Sequence, residues 1–167
     1  MPRLPFLSAL LACSILASPA LANEPPANPQ IDYRGFAELT LALADMREDR
    51  LLGWQEFSAG MQQGNAILLD ARSESAFAAG HIEGAVNLPF SDFTDEKLLA
   101  VLGPDTDRPI FIYCNNNFSD DRPPVITKRA PLALNIPTFI NLHGYGYANV
   151  WELRDILSTQ DVPWVQG

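Results

Sequence analysis

Cys114 follows the apolar run Ile110–Tyr113 and precedes Asn115, Asn116, Asn117, Phe118 and Ser119. A cysteine at the end of a buried strand, ahead of a helix start, places its sulfur where backbone N–H groups converge. Those groups and the helix dipole favour an anion, so they lower a thiol pKa and make a nucleophile. The same cradle suits a persulfide or the oxyanion of an incoming substrate. Asparagine fits such a loop because it tolerates left-handed backbone. An inert buried cysteine followed by an ordinary turn reads equally well from these residues alone.

The rest of the chain bears on that thiol. Arg3, the short apolar run Phe6–Ala17 and the small residues Ala20 and Ala22 have the pattern of a signal peptide, with cleavage after Ala22. Cleavage removes Cys13 and leaves Cys114 as the sole cysteine, so no internal disulfide is expected. A lone thiol in an oxidising compartment is either buried or used. Residues 23–167 carry ten basic and twenty acidic residues, a net charge of −10. An acidic surface repels phosphate backbones, and no basic amphipathic stretch occurs, so neither nucleic acid nor stable membrane association after cleavage is expected. The expected location is periplasmic or secreted. One cysteine with His81 and His143 offers no zinc spacing, and no phosphate-binding glycine motif occurs.

Elements must position Cys114. Residues 23–49 read as a proline-rich linker followed by a helix over Ile31–Asp49, with Phe36, Leu39, Leu43 and Met46 on one face. Strands are expected at Arg50–Leu52, Ala66–Asp70, Ala85–Leu88, Pro109–Tyr113 and Pro137–Leu142. Helices are expected at Trp54–Gln63, Ser73–Ala79, Asp92–Leu102, Pro123–Leu134 and Asn149–Leu157. Unbroken apolar strands alternating with helices predict an α/β domain over 50–160. Its central sheet is mostly parallel, with helices on both faces, and 161–167 is a tail. Ligands bind such sheets at the carboxyl ends of the strands. Asp70, Cys114 and the segment after Leu142 are therefore expected on one edge. There His143 is either a general base at the mouth of the site or, the favoured reading, a hydrogen-bonded structural residue, and Tyr145 and Tyr147 either shape a pocket or pack.

Leu69-Asp70-Ala71-Arg72, Phe77 and the run Gly80-His81-Ile82-Glu83-Gly84-Ala85, continuing to Asn87-Leu88-Pro89, resemble the entry motif of rhodanese-homology domains. Cys114 then falls where that family keeps its catalytic cysteine, and Leu142–Gly146 with Trp151 resemble its closing segment. The resemblance covers roughly residues 50 to 158 and implies a rhodanese-like fold and a sulfurtransferase. Sulfane sulfur would pass from a donor such as thiosulfate to Cys114 as a persulfide, and on to a thiol or cyanide-like acceptor. It implies no metal and no organic cofactor. Asp70 and Arg72 belong to the motif, either organising the site or forming a structural ion pair. Asn117 stands where many members have glycine, and Ser119 where they have arginine, which leaves Lys128 or Arg122 to substitute, unless each is a solvated surface charge, the favoured reading. Asp120, six residues after Cys114, stands where the related phosphatases need arginine. The missing loop arginine motivates the alternative of a non-enzymatic module that binds a persulfide, thiol or partner.

Overall fold

The computed structural model describes residues 28–167. The signal-peptide reading of 1–22, Cys13 included, and linker residues 23–27 lie outside the described residues. Residues 1–33 and 34–167 form two units. Of the first, residues 28–31 form a turn closed by the Ile31 N–H on the Asn28 carbonyl at 3.0 Å.

In chain order the elements begin with α1 (Tyr33–Glu48), β1 (Leu51–Leu52), α2 (Trp54–Met61), β2 (Ile67–Asp70) and α3 (Glu74–Ala79). Next come β3 (His81–Ile82), β4 (Ala85–Asn87), α4 (Asp95–Leu102) and β5 (Ile110–Tyr113). The chain ends with α5 (Asn135–Gly144), β6 (Val150–Leu153) and β7 (Trp164–Val165). The sheet order is β1-β6-β5-β2-β4, and every neighbouring pair is parallel. This is the expected α/β domain with helices around a mostly parallel sheet. The central strands β2 and β5 are buried along their whole length, as their unbroken apolar runs require.

Strand alternation divides the core into two layers. Ile67, Leu69, Ile110, Ile112 and Val150 face α1, α4 and α5 through Leu43, Leu98, Leu102, Phe139 and Leu142. Leu68, Phe111, Tyr113 and Leu153 face the other way, onto Phe57 of α2, Ile82, Phe118 and Trp164. α1 is fixed by Leu43 and by Arg47, whose guanidinium grips the buried Glu152 carboxylate of β6 through two contacts of 2.9 Å.

The expected elements hold from α1 to β5. Ser73 caps α3 as read, its Oγ accepting the Ala76 N–H. Three later expectations are overturned. Pro123–Leu134 is an irregular strap ending in the single 3-10 turn Ala130–Leu132, because prolines at 123, 124 and 131 deny it helical hydrogen bonds. Pro137–Leu142 is helical, not a strand. Pro137 lies in the first turn of α5, where its missing N–H has no duty, and Ile136, Phe139, Ile140 and His143 follow helical spacing. Asn149–Leu157 is the strand β6 and a loop, with Glu152 buried against Arg47 rather than lining a polar helix face. With a strap in place of a helix behind the cysteine, the next two elements exchange type, helix before strand.

Residues 161–167 contain a strand. Trp164 and Val165 pair antiparallel with Ile82 and His81. Gly80 permits this approach, since a Cβ there would strike the Trp164 indole.

Candidate functional site

β2 and β5 are parallel neighbours, so Asp70 and Tyr113 end side by side at the carboxyl edge and Cys114 comes next. Asp70 is sealed from water. Its carboxylate accepts the Arg72 backbone N–H at 3.0 Å, the Arg72 guanidinium at 2.6–3.0 Å and the Tyr113 hydroxyl at 2.7 Å. Arg72 also donates to the carbonyls of Gly80 (2.8 Å) and Pro124 (3.3 Å), and it lies over the rings of Tyr113 and Trp164. With its hydrogen-bonding edge consumed, this ion pair locks β2, β3, β5 and the strap together. Burial and the Asp70 charge push the Tyr113 phenol far above its ordinary range.

Cys114 is 1% exposed. The backbone N–H groups of Asn135, Asn116 and Leu134 lie about its sulfur and favour the thiolate. The expected cradle therefore exists, but two of its three amides come from the start of α5, about 20 residues along the chain. Its effect on the thiol is reversed. Burial is the largest influence and pushes the Cys114 thiol above its ordinary range, with the amides pulling it down and the Glu152 charge pushing it up. Alkylation of the native protein by iodoacetamide is accordingly expected to rise with an inflection above the ordinary thiol value of about 8.5, which the urea-unfolded protein should show. The sign carries into stability. From about pH 8.5 the unfolded chain releases a proton that the native thiol retains, so stability falls until the native thiol itself ionises. A native inflection at or below that of the unfolded chain would contradict the burial argument.

Asn115, Asn116 and Asn117 form a 3-10 turn with ordinary backbone angles, not the left-handed loop expected of them. Each side chain has a separate task. Asn115 Nδ2 donates to the Ile126 carbonyl at 2.9 Å. Asn116 clasps Lys128 at both backbone groups, donating to its carbonyl at 2.7 Å and accepting its N–H at 3.1 Å. Asn117 is buried. Its Oδ1 accepts the Cys114 N–H at 2.9 Å and Asn135 Nδ2 at 3.1 Å, and its Nδ2 donates to the carbonyls of Leu153 and Asp155. Phe118 is core, edge-on to Tyr113 and Trp164. Ser119 bonds Leu157 through its backbone N–H and its hydroxyl. These two of the expected loop residues serve packing.

A pocket of about 750 Å³ opens on this edge, between the start of α3 (Arg72–Ala76), Pro89–Asp92, and Asn115, Lys128 and Leu134. Lys128 lies in its lining, on the irregular strap rather than in the expected helix. Arg122, the other cation considered, turns to Asp120 at 3.7 Å. Asp120 itself accepts the Thr159 N–H and hydroxyl and anchors the strap base. His143, Tyr145 and Tyr147 do not join the site. α5 runs from the carboxyl edge back to the start of β6, so its C-terminal end lies at the far edge. His143 Nδ1 is 2.9 Å from the Phe139 carbonyl, and the tyrosine hydroxyls donate to the carbonyls of Phe93 and Gly103. Sequence reasoning missed Asn135 and Tyr113. The only signal for Asn135 was an asparagine at the start of a helical spacing, hidden by the strand reading of Pro137–Leu142.

The chain is 37% identical over 68 residues to "Uncharacterized protein YqhL" of Bacillus subtilis (strain 168), a stretch that is 41% of this chain. The match spans about half of that relative, 49% of its length. Among solved structures, a thiosulfate sulfurtransferase from Pseudomonas aeruginosa aligns with a TM-score of 0.48 and 23% identity, over 70% of this chain and 20% of that one. A rhodanese from E. coli, solved with anions, aligns with a TM-score of 0.40 and 22% identity, over 61% of this chain and 99% of that one. The family model "Rhodanese-like domain" matches residues 54–155. That span is more than half of the chain and contains β2, Cys114 and the whole pocket, and the protein belongs to the rhodanese-like domain family.

Proposed function

We propose that this domain is a sulfurtransferase that carries sulfane sulfur on Cys114. The observation that supports it best is the place of Cys114 at the carboxyl edge of the sheet, with backbone N–H groups that favour its thiolate and with its neighbour Asn115 lining a pocket. Such amides stabilise the negative charge of a persulfide as they would a thiolate. The outer sulfur of a persulfide stands about 2 Å beyond Sγ, farther from the buried cysteine.

In the loading step, Sγ attacks the sulfane sulfur of the donor. The bond from that sulfur to the donor breaks, its electron pair leaves with the donor, and the thiol proton leaves with it. An S–S bond on Cys114 replaces it. In the unloading step a thiolate or cyanide attacks the outer sulfur, and Cys114 departs as thiolate. Neither step needs an outside oxidant or a metal. On the strength of residues 1–22, we place this chemistry in the periplasm or outside the cell.

The protein incubated with thiosulfate or an organic persulfide is expected to gain the mass of one sulfur, measured on the intact chain. Added cyanide should release that sulfur as thiocyanate with repeated turnover. Cys114→Ser should take up none. Equal thiocyanate production by both proteins would end the cysteine mechanism. The burial of Cys114 favours a second reading, a module that holds sulfur without passing it on. One equivalent loaded on Cys114 and never released would select that reading.

A further inference from the structure

The pocket beside Cys114 has four charged residues in its wall: Arg72, Glu74, Asp92 and Lys128. Two are already neutralised, Arg72 by Asp70 and Asp92 by Lys97. The other two, Glu74 and Lys128, make no ion pair among the described residues, with each other or with anything else. They come from different elements. Glu74 opens α3, and Lys128 sits in the strap.

Neither is adrift. The α3 start is capped by Ser73, and Asn116 holds the Lys128 backbone at two points. That clasp originates two residues after Cys114, so one short turn sets both the sulfur and the lysine. Asn115 and Leu134, which flank the sulfur as its chain neighbour and as one of the amides about it, line the same pocket.

A free cation and a free anion in the lining of one pocket match a ligand that carries both charges. A small inorganic dianion would satisfy Lys128 and be repelled by Glu74. The volume, about 750 Å³, is also in the range of pockets for organic ligands rather than single inorganic ions. We infer that the pocket takes a zwitterionic, amino-acid-type persulfide as sulfur donor, its carboxylate on Lys128 and its ammonium facing Glu74. This rests on the reading of Cys114 as a sulfur carrier. Loading then converts the persulfide R–S–S⁻ and the Cys114 thiol into R–SH and a Cys114 persulfide anion, with atoms and charge conserved.

Three persulfides separate the charges: those of cysteine, of cysteamine, which lacks the carboxylate, and of 3-mercaptopropionate, which lacks the ammonium. Wild-type protein is expected to load from cysteine persulfide with the highest kcat/KM. Lys128→Gln should lower that value about tenfold, the loss of one charge-assisted hydrogen bond at an exposed site, and abolish the advantage of cysteine over cysteamine. Glu74→Gln should abolish the advantage over 3-mercaptopropionate. A binding arm needs no turnover: S-methylcysteine titrated into Cys114→Ser protein should shift the amide NMR signals of Asn115 and Lys128, and less so with Lys128→Gln added. Equal loading from all three persulfides, or better loading from thiosulfate than from any of them, would overturn the zwitterion site and leave the carrier intact. No loading from any donor, with S-methylcysteine still bound, would overturn the carrier and leave the site. Loading without any response to either substitution would also overturn the site.

Discussion

Arg72→Leu is expected to cost the domain about 3–5 kcal/mol, the loss typical of removing one partner from a buried ion pair. Both side chains are sealed, with 2% of Arg72 and none of Asp70 exposed. Leucine keeps the backbone N–H that reaches Asp70, and the Tyr113 hydroxyl remains. It removes every guanidinium contact, so a carboxylate stays in the core with its counter-charge gone. The carbonyls of Gly80 and Pro124 lose a donor as well, which loosens the strap that carries Lys128. The double variant Asp70→Asn with Arg72→Leu should be less destabilised than the sum of the two single ones, because neutralising both partners removes the stranded charge. Urea unfolding of the four proteins, compared by midpoint at constant slope, checks this. A loss under about 1 kcal/mol for Arg72→Leu would mean that water reaches the pair, as it does for surface bridges.

This pair also shows what was legible in the sequence. Asp70 and Arg72 are two residues apart across a strand end, so their meeting is local, and the spacing announced it. The same holds for β2 and β5, whose apolar runs are long enough to show burial on both faces, and for Ser73 as a helix cap. Cys114 at the carboxyl edge followed directly from those strands. Its surroundings did not. The amides of Leu134 and Asn135 reach the sulfur from α5, and β-branched Thr138 and Ile140 beside Pro137 made that helix look like a strand. An alternation that takes the proline-rich strap for the helix behind the cysteine leaves no place for α5. The direction of the Cys114 shift was illegible for a related reason. Amides can be counted along a loop, whereas burial depends on distant segments such as the start of α5 folding about the cysteine, a long-range event.

Asn117→Gly, which would restore the residue many family members carry, is expected to destabilise this protein by about 3 kcal/mol. The carboxamide is buried and fully used, and each stranded buried group costs roughly 1–3 kcal/mol, offset where water can enter. The Cys114 N–H and Asn135 Nδ2 lose their acceptor, and the Leu153 and Asp155 carbonyls lose their donor. Glycine adds backbone entropy of about 0.5–1 kcal/mol to the unfolded chain's advantage. The clamp joins the cysteine turn to β6 and to the start of α5, so its loss should also open the sulfur to water. The inflection of Cys114 alkylation should then move down toward 8.5. Asn117→Asp makes the contrasting case. It keeps an acceptor for the Cys114 N–H, loses the donor to β6, and sets a negative charge beside the buried sulfur, so it too weakens the fold but moves the inflection up. Two variants that destabilise alike and shift the thiol in opposite directions separate the clamp's control of the sulfur from loosening of the fold. If both moved the inflection the same way, Asn117 would be a packing residue whose contact with the Cys114 N–H has no bearing on the thiol.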